Sequence, residues 1–305
     1  MSKMVQYSLW ANCQNNCKFC LRHDRTIWEP HKQVDRINEI RKNIRVIDWE
    51  NTYNRGISLL GGEIFFVKDE EIIKNFLLLI DDICEIILKP VRTSRFSFVT
   101  NALYDPNTFL FKVLDRINET VGIERADINV SYDIKYRFDT LEKKKLCEKN
   151  IVKISKRYNY LVGVQTILTQ YLIDAINKGE FNFDTQEKKV FKNGGMITLL
   201  YPHPINPELP PLNDFKFLRK SFIEFMNYLK INYPKKFENF YLSTINSAKL
   251  KETGARDPLA GKETAQPILS DGKEIINENC NHSTLYQCYS DCNNCMLCDL
   301  LTMGR

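Results

Sequence analysis

An α/β fold, a partial TIM-like (β/α)6 barrel followed by a cysteine-rich carboxy-terminal extension, is what the sequence predicts, on three observations. Strand-like and helix-like segments alternate six times between Tyr7 and Leu229. Of the 305 residues, 43% are hydrophobic and 27% charged, which is enough apolar material for a packed core and too much for a disordered chain. The ten cysteines fall mostly into two dense groups, one at each end of the chain.

Tyr7 to Trp10 reads as a short strand leading into the first cysteine loop. A helix follows, with Val34, Ile37, Ile40 and Ile44 at three- and four-residue spacing. Gly56 to Leu60 is the second strand and Asp69 to Lys89 the next helix, ended by Pro90, which disfavours helical geometry in the residue before it. The pattern repeats with Arg95 to Thr100 and a helix over Phe109 to Ile117, then Asp127 to Tyr132 and a charged helix from Thr140 to Arg157. Tyr160 to Leu168 precedes a short helix near Leu172 to Asn177, and Met196 to Tyr201 precedes one from Asp214 to Leu229. Strands separated by helices pair in parallel, and ligand chemistry in such folds gathers at the carboxyl ends of the strands. From Asn232 to Asn279, Pro234, Pro258 and Pro267 interrupt a stretch of little periodicity that reads as a linker or wrapping loop. The expected division is a core over residues 1–235 and a linker with a metal-binding extension over residues 236–305.

Several function classes are disfavoured at once. The apolar run Phe76 to Ile80 is closed by Asp81 and Asp82, far short of the ~20 residues that cross a bilayer. No secretory signal opens the chain, so a cytoplasmic protein without a membrane partner is expected. The formal charge of +5 is mild and acids are interleaved with bases, which argues against a dedicated polyanion surface. In a reducing compartment the clustered cysteines point to metal ligation rather than disulfides.

Cys13, Cys17 and Cys20 lie in the loop after the first strand, in the order Cys-x3-Cys-x2-Cys. Three thiolates this close can hold three corners of a [4Fe–4S] cluster and leave the fourth iron open; a zinc loop is the other reading of the spacing. Gly61-Gly62-Glu63 ends the second strand, Thr100-Asn101 the third, and Ser131 with Asp133 the fourth. Together these positions resemble the radical S-adenosylmethionine (SAM) superfamily, over roughly residues 5 to 205.

The resemblance implies that SAM binds the open iron, with Gly61, Gly62 and Glu63 at its amino group, Phe19 near its adenine, and Thr100, Asn101, Ser131 and Asp133 around it; Gln165 and Thr166 are weaker candidates for the same shell. Two positions depart from the family pattern: Ile64 stands where many members have proline, and Ala102 replaces the glycine of a Thr-Asn-Gly turn. The implied chemistry is reductive cleavage of SAM to a 5′-deoxyadenosyl radical that abstracts hydrogen from a substrate, with flavodoxin or ferredoxin as electron donor. Glu63→Gln is expected to weaken SAM binding while leaving folding and metal content intact. His23 and Asp24 lie near the first cluster, and His203 with Tyr201 ends the sixth strand. Neither pair has more than its position in favour of a role.

Cys288, Cys292, Cys295 and Cys298 fall within eleven residues, with Cys280 and His282 just upstream. Four thiolates could close a tetrahedral zinc site or saturate a second [4Fe–4S] cluster. The Asp271-Gly272 turn ahead of them is similar to the start of the SPASM and Twitch extensions that carry auxiliary clusters, although the upstream cysteine of a full SPASM arrangement is missing. An auxiliary cluster is the preferred expectation and structural zinc the alternative. Cys84 and Cys147 are expected to be packing residues, and the basic helix around Lys143-Lys144-Lys145 a solvated outer face. A peptide or protein side chain is the first substrate expectation. Against it, the core begins close to residue 1, with no room for a leader-binding domain. A nucleotide or nucleic acid is the runner-up, and a zinc-binding interaction protein the reading from another class.

Overall fold

The computed structural model describes residues 4–15, 17, 27–49, 56–133, 135, 137–200, 217–248 and 255–256. Six strands follow one another in the order of the sequence: β1 (Met4–Ser8), β2 (Gly56–Leu60), β3 (Arg95–Thr100), β4 (Ala126–Ser131), β5 (Val162–Ile167) and β6 (Gly195–Leu200). A two-residue strand, β7 (Ala255–Arg256), pairs outside β1, and every pairing in the sheet is parallel.

Helices α1 (Pro30–Ile44), α2 (Glu70–Ile83), α3 (Leu110–Val121), α4 (Leu141–Tyr158) and α5 (Gln170–Asn177) fill the crossovers. Strand order never reverses, and α1 packs on α2 as α2 packs on α3. A sheet that proceeds in one direction with neighbouring helices in contact keeps those helices on one face. That is the arrangement of a barrel wall rather than of a doubly wound sheet with a switch point. Among the described residues the sheet ends at β6 and β7, the arrangement of an open, partial barrel.

The expected elements are present, with ends displaced by up to five residues, in part where caps decide them. Asp69 lies outside α2 because its carboxylate accepts from the N–H groups of Glu71 and Ile72 at 2.9 and 3.0 Å. The same chain direction continues as a π-helical turn over Cys84–Leu88 up to Pro90. Thr140 caps α4, and Asn159 ends it in the left-handed conformation at φ 48°. Cys84 and Cys147 are both fully buried. On α4, Lys143, Lys144, Lys153 and Arg157 lie within ion-pair distance of Asp139, Glu148, Asp105 and Asp115, as suits a solvated outer helix. Strands β3 to β5 alternate between fully and partly buried positions. Under β2 and β3, Phe65 meets Phe98 and Phe109 at ring-centroid distances of 4.8 and 5.7 Å, and Phe76 meets Phe109 at 5.1 Å.

One expectation is overturned. The segment after Asn232 begins as a helix, α7 (Pro234–Ala248), packed on β6 and on α6 (Arg219–Asn232). Proline at the first helical position costs no hydrogen bond, and Phe237, Phe240 and Thr244 recur at helical spacing and are buried. The rest of that segment, apart from β7, lies outside the described residues. At the β6 edge the Lys236 ammonium donates to the Ile197 carbonyl at 3.0 Å and pairs with Glu187, whose Oε1 accepts the Ile197 N–H at 2.7 Å. Both backbone groups of an edge residue are thus satisfied by side chains. Lys236→Met should therefore lower the unfolding free energy by about 1–3 kcal/mol in urea titration, because it orphans a buried carbonyl and a carboxylate. An unchanged midpoint would show that α7 does not secure this edge.

Candidate functional site

The loop after β1 is hooked to the end of β2 by a ladder that outruns both strands. Leu9 N–H donates to Leu60 O at 2.8 Å, Gly62 N–H to Trp10 O at 2.8 Å, and Glu63 N–H to Asn12 O at 2.7 Å. A Cβ on Gly62 would come within 2.3 Å of Ala11 O and 2.4 Å of Asn12 O; one on Gly61 would meet Ile64 Cγ2 at 2.6 Å. Glycine is required here by the close passage of two backbones, the second of which leads directly into Cys13. Asn12 also accepts from Trp28 N–H at 2.9 Å, tying the loop to the approach of α1.

Glu63 has no exposed surface. Its Oε2 accepts from Asn101 N–H at 2.6 Å; its Oε1 accepts from the Thr100 hydroxyl at 2.9 Å and from Phe65 N–H at 3.2 Å. Burial raises its pKa to about 7 against the opposing pull of these hydrogen bonds and of the Arg137 charge. Thr100 shares its hydroxyl with Tyr104 OH at 2.8 Å. Ala102 adopts φ 53°, the left-handed geometry in which glycine is at ease, so the turn keeps the shape of Thr-Asn-Gly without its glycine.

Asn101 carries this network to the cysteines. Its amide nitrogen lies 3.6 Å from Cys13 Sγ, and its amide exchanges contacts with Gln14 at 3.2 and 3.4 Å. Asn15 donates its backbone N–H to Cys13 Sγ at 3.4 Å and its side-chain amide to Cys17 Sγ at 3.4 Å. From the β4 side, Arg137 Nη1 donates to Cys17 Sγ at 3.8 Å. Cys13 is exposed and Cys17 buried.

Asp133 is 6% exposed, and both its oxygens are engaged: Oδ1 accepts the Ile167 N–H and Oδ2 the Arg137 Nε–H, each at 2.9 Å. Desolvation pulls the Arg137 pKa down, but Asp133 and Cys17 outweigh it and hold the guanidinium more firmly protonated than usual. Thr166 donates to Tyr132 O at 2.6 Å, a joint between the ends of β4 and β5. Ser131 and Gln165 are half-buried register partners on those strands. Among the described residues, the hydrogen bonds of the shell run through Asn101, Asn15, Arg137 and Asp133.

The structure thus brings Cys13, Cys17, Gly61, Gly62, Glu63, Thr100, Asn101 and Asp133 together. Phe19, Cys20, His23, Asp24, Tyr201 and His203 lie outside the described residues, as do Cys280, His282, Cys288, Cys292, Cys295 and Cys298. Among the described residues no group of three or more metal-ligating side chains is assembled, and no helix is long and apolar enough to cross a membrane. Asn15 and Arg137 are additions that sequence reading did not supply. The asparagines around the cysteines were the visible hint of the first. For Arg137 there was only its position four residues after Asp133.

No family model and no curated protein matches this sequence. Among solved structures, the fold is similar to that of SuiB from Streptococcus suis. The two are 11% identical, with a TM-score of 0.48, over 76% of this chain and 48% of that one. The chain therefore spans about half the length of SuiB.

Two outcomes follow from the geometry. Gly62→Ala should destabilise the protein by about 1–3 kcal/mol, because two carbonyl oxygens must move, and an unchanged thermal midpoint would contradict the close passage. The second concerns pH. A carboxyl raised to about 7 in the fold from an ordinary 4.5 binds more protons folded than unfolded, so its contribution to stability is full below about 4.5 and is lost as pH rises to about 7. The wild-type unfolding free energy should fall across that window relative to Glu63→Gln by up to about 1.4 kcal/mol per pH unit. Parallel profiles would show that Glu63 titrates normally. One carbonyl oxygen cannot serve three donors on two sides, so Glu63→Gln should be less stable than the wild type at neutral pH, as thermal unfolding would show.

Proposed function

We propose that this chain is a radical SAM enzyme whose first iron–sulfur cluster is ligated by Cys13, Cys17 and Cys20. The observation that supports this reading most is the single hydrogen-bonded shell running from Glu63 through Asn101 to the Cys13 and Cys17 sulfurs at the carboxyl ends of β1 to β4. Both sulfurs face N–H donors, the environment that favours thiolates and suits them to iron. The chemistry such a cluster supplies when SAM is bound is reductive cleavage to a 5′-deoxyadenosyl radical, which takes hydrogen from a substrate. The protein's part is to hold the sulfurs rigidly, to present Gly61, Gly62 and Glu63 beside them, and to exclude water through the aromatic wall behind Phe65. Phe19, Ser131, Asp133 and Gln165 are proposed to complete the SAM pocket.

Residues 1–235 are proposed as the core and residues 236–305 as a cysteine-rich extension that begins on α7 and carries Cys280, Cys288, Cys292, Cys295 and Cys298. That extension would hold a second [4Fe–4S] cluster, or zinc in its place. A peptide or protein side chain is the proposed substrate, with a flavodoxin or ferredoxin as electron donor. The ion-paired basic residues of α4 weigh against a nucleic acid.

Metal content after anaerobic reconstitution tests the reading. About eight irons per chain is the expected result, with 5′-deoxyadenosine formed on adding dithionite and SAM. About four irons with one zinc would keep the enzyme and make the extension structural. Zinc without iron would overturn the reading in favour of a zinc-binding interaction protein.

A further inference from the structure

Arg137 is the charged member of the sulfur shell, and its setting is unusual for a surface-loop arginine. Its side chain is 14% exposed and that of its partner Asp133 only 8%. The Nε–H is bound to Asp133, and Asp133 is itself pinned by the Ile167 N–H of β5, so the guanidinium is fixed to the frame of the sheet. From there Nη1 reaches Cys17 Sγ at 3.8 Å, and the Arg137 carbonyl takes a hydrogen bond from the Asn15 side chain at 2.9 Å, inside the cysteine loop itself. The cation and the loop hold each other in place.

We propose that Arg137 is a positioning residue that raises the reduction potential of the cluster ligated by Cys17. The inference rests on the reading above. Reduction adds negative charge that spreads onto the ligating sulfurs. A fixed cation with little water around it stabilises the reduced state more than the oxidised one, and a hydrogen bond to the sulfur acts in the same sense. Asn15 and Asn101 supply neutral donors to the same sulfurs; Arg137 differs in carrying a full charge that Asp133 holds in register.

The test is a potentiometric titration of the reconstituted full-length protein, following the electron paramagnetic resonance signal that changes on adding SAM, which singles out the cluster with an open iron. Arg137→Met should retain iron and shift the midpoint to lower potential, and Arg137→Lys, which keeps the charge without the guanidinium fork, should lie between it and the wild type. Full iron with an unmoved midpoint in Arg137→Met would overturn the proposal, as would weaker SAM binding at an unchanged midpoint. Loss of the first cluster in both variants would reduce Arg137 to a structural brace and equally overturn it. A wild-type protein that takes up no iron would instead sink the enzyme reading itself, a distinct result.

Discussion

Desolvating a carboxylate costs several kcal/mol unless hydrogen bonds replace the lost water. Glu63 is held without any exposed surface, so the fold has to bring donors to it, and it brings them from the neighbouring strand: the Asn101 backbone and the Thr100 hydroxyl. Much of the local geometry follows from that need. Binding the Asn101 N–H turns the chain at Ala102 into a left-handed conformation that is closed by Ala102 N–H on Thr100 Oγ1 at 3.1 Å and by Leu103 N–H on Asn101 Oδ1 at 2.9 Å. With the backbone N–H of Asn101 fixed by Glu63 and its side-chain Oδ1 accepting from the Leu103 N–H, the side-chain amide nitrogen is left facing Cys13. A residue buried at the end of β2 thereby decides where a donor on β3 meets a sulfur on the β1 loop.

The cysteine loop is gripped from three directions. On one side the backbone ladder past Leu60 runs alongside residues 9–12 and needs Gly61 and Gly62 for its closeness. On the second side Asn12 holds Trp28, and Arg36 of α1 donates to Ser8 O at 2.9 Å. On the third, Arg137 and Asn15 cross-link the loop to the β4 end. A site whose first ligands hang on a loop is only as rigid as the groups behind them, and here those groups tie the loop to the end of β2, to α1 and to the segment after β4.

Which parts of this were legible in the sequence follows from the range of the forces involved. The six strands were visible because β2 is an apolar run and β3 to β5 place apolar residues at every second position, each between clear turns. Helix ends moved where a cap such as Asp69 sits outside the helix it starts. The α7 helix was missed because Pro234 and the lysines after it read as a break, whereas Pro234 begins a helix that buries Phe237, Phe240 and Thr244. Gly61-Gly62-Glu63 and Thr100-Asn101 could be found as local strings. That Glu63 binds the backbone of the other string could not, since the two meet only through the β2–β3 pairing. Arg137 was invisible for the same reason: its partner Cys17 is 120 positions away in sequence, and the Asp133 that holds it is pinned by Ile167, 34 positions beyond Asp133, so the three come together only at the carboxyl ends of the strands.

The charges of the shell are unequal in number, and that imbalance explains its coupling. Two carboxyls and two sulfurs converge on a region where Arg137 is the cation that acts on Glu63, Asp133 and Cys17 together. Its direct hydrogen bonds go to Asp133 and Cys17, so Glu63 receives only the residual field, the smallest of the influences that lower its pKa, and burial prevails there. Burial therefore raises the proton affinity of Glu63, while Asp133 is bound to a fixed cation. The carboxyl and sulfur ends of the network thus share the field of one guanidinium, held by hydrogen bonds to Asp133 and Cys17 and felt by Glu63 through charge alone.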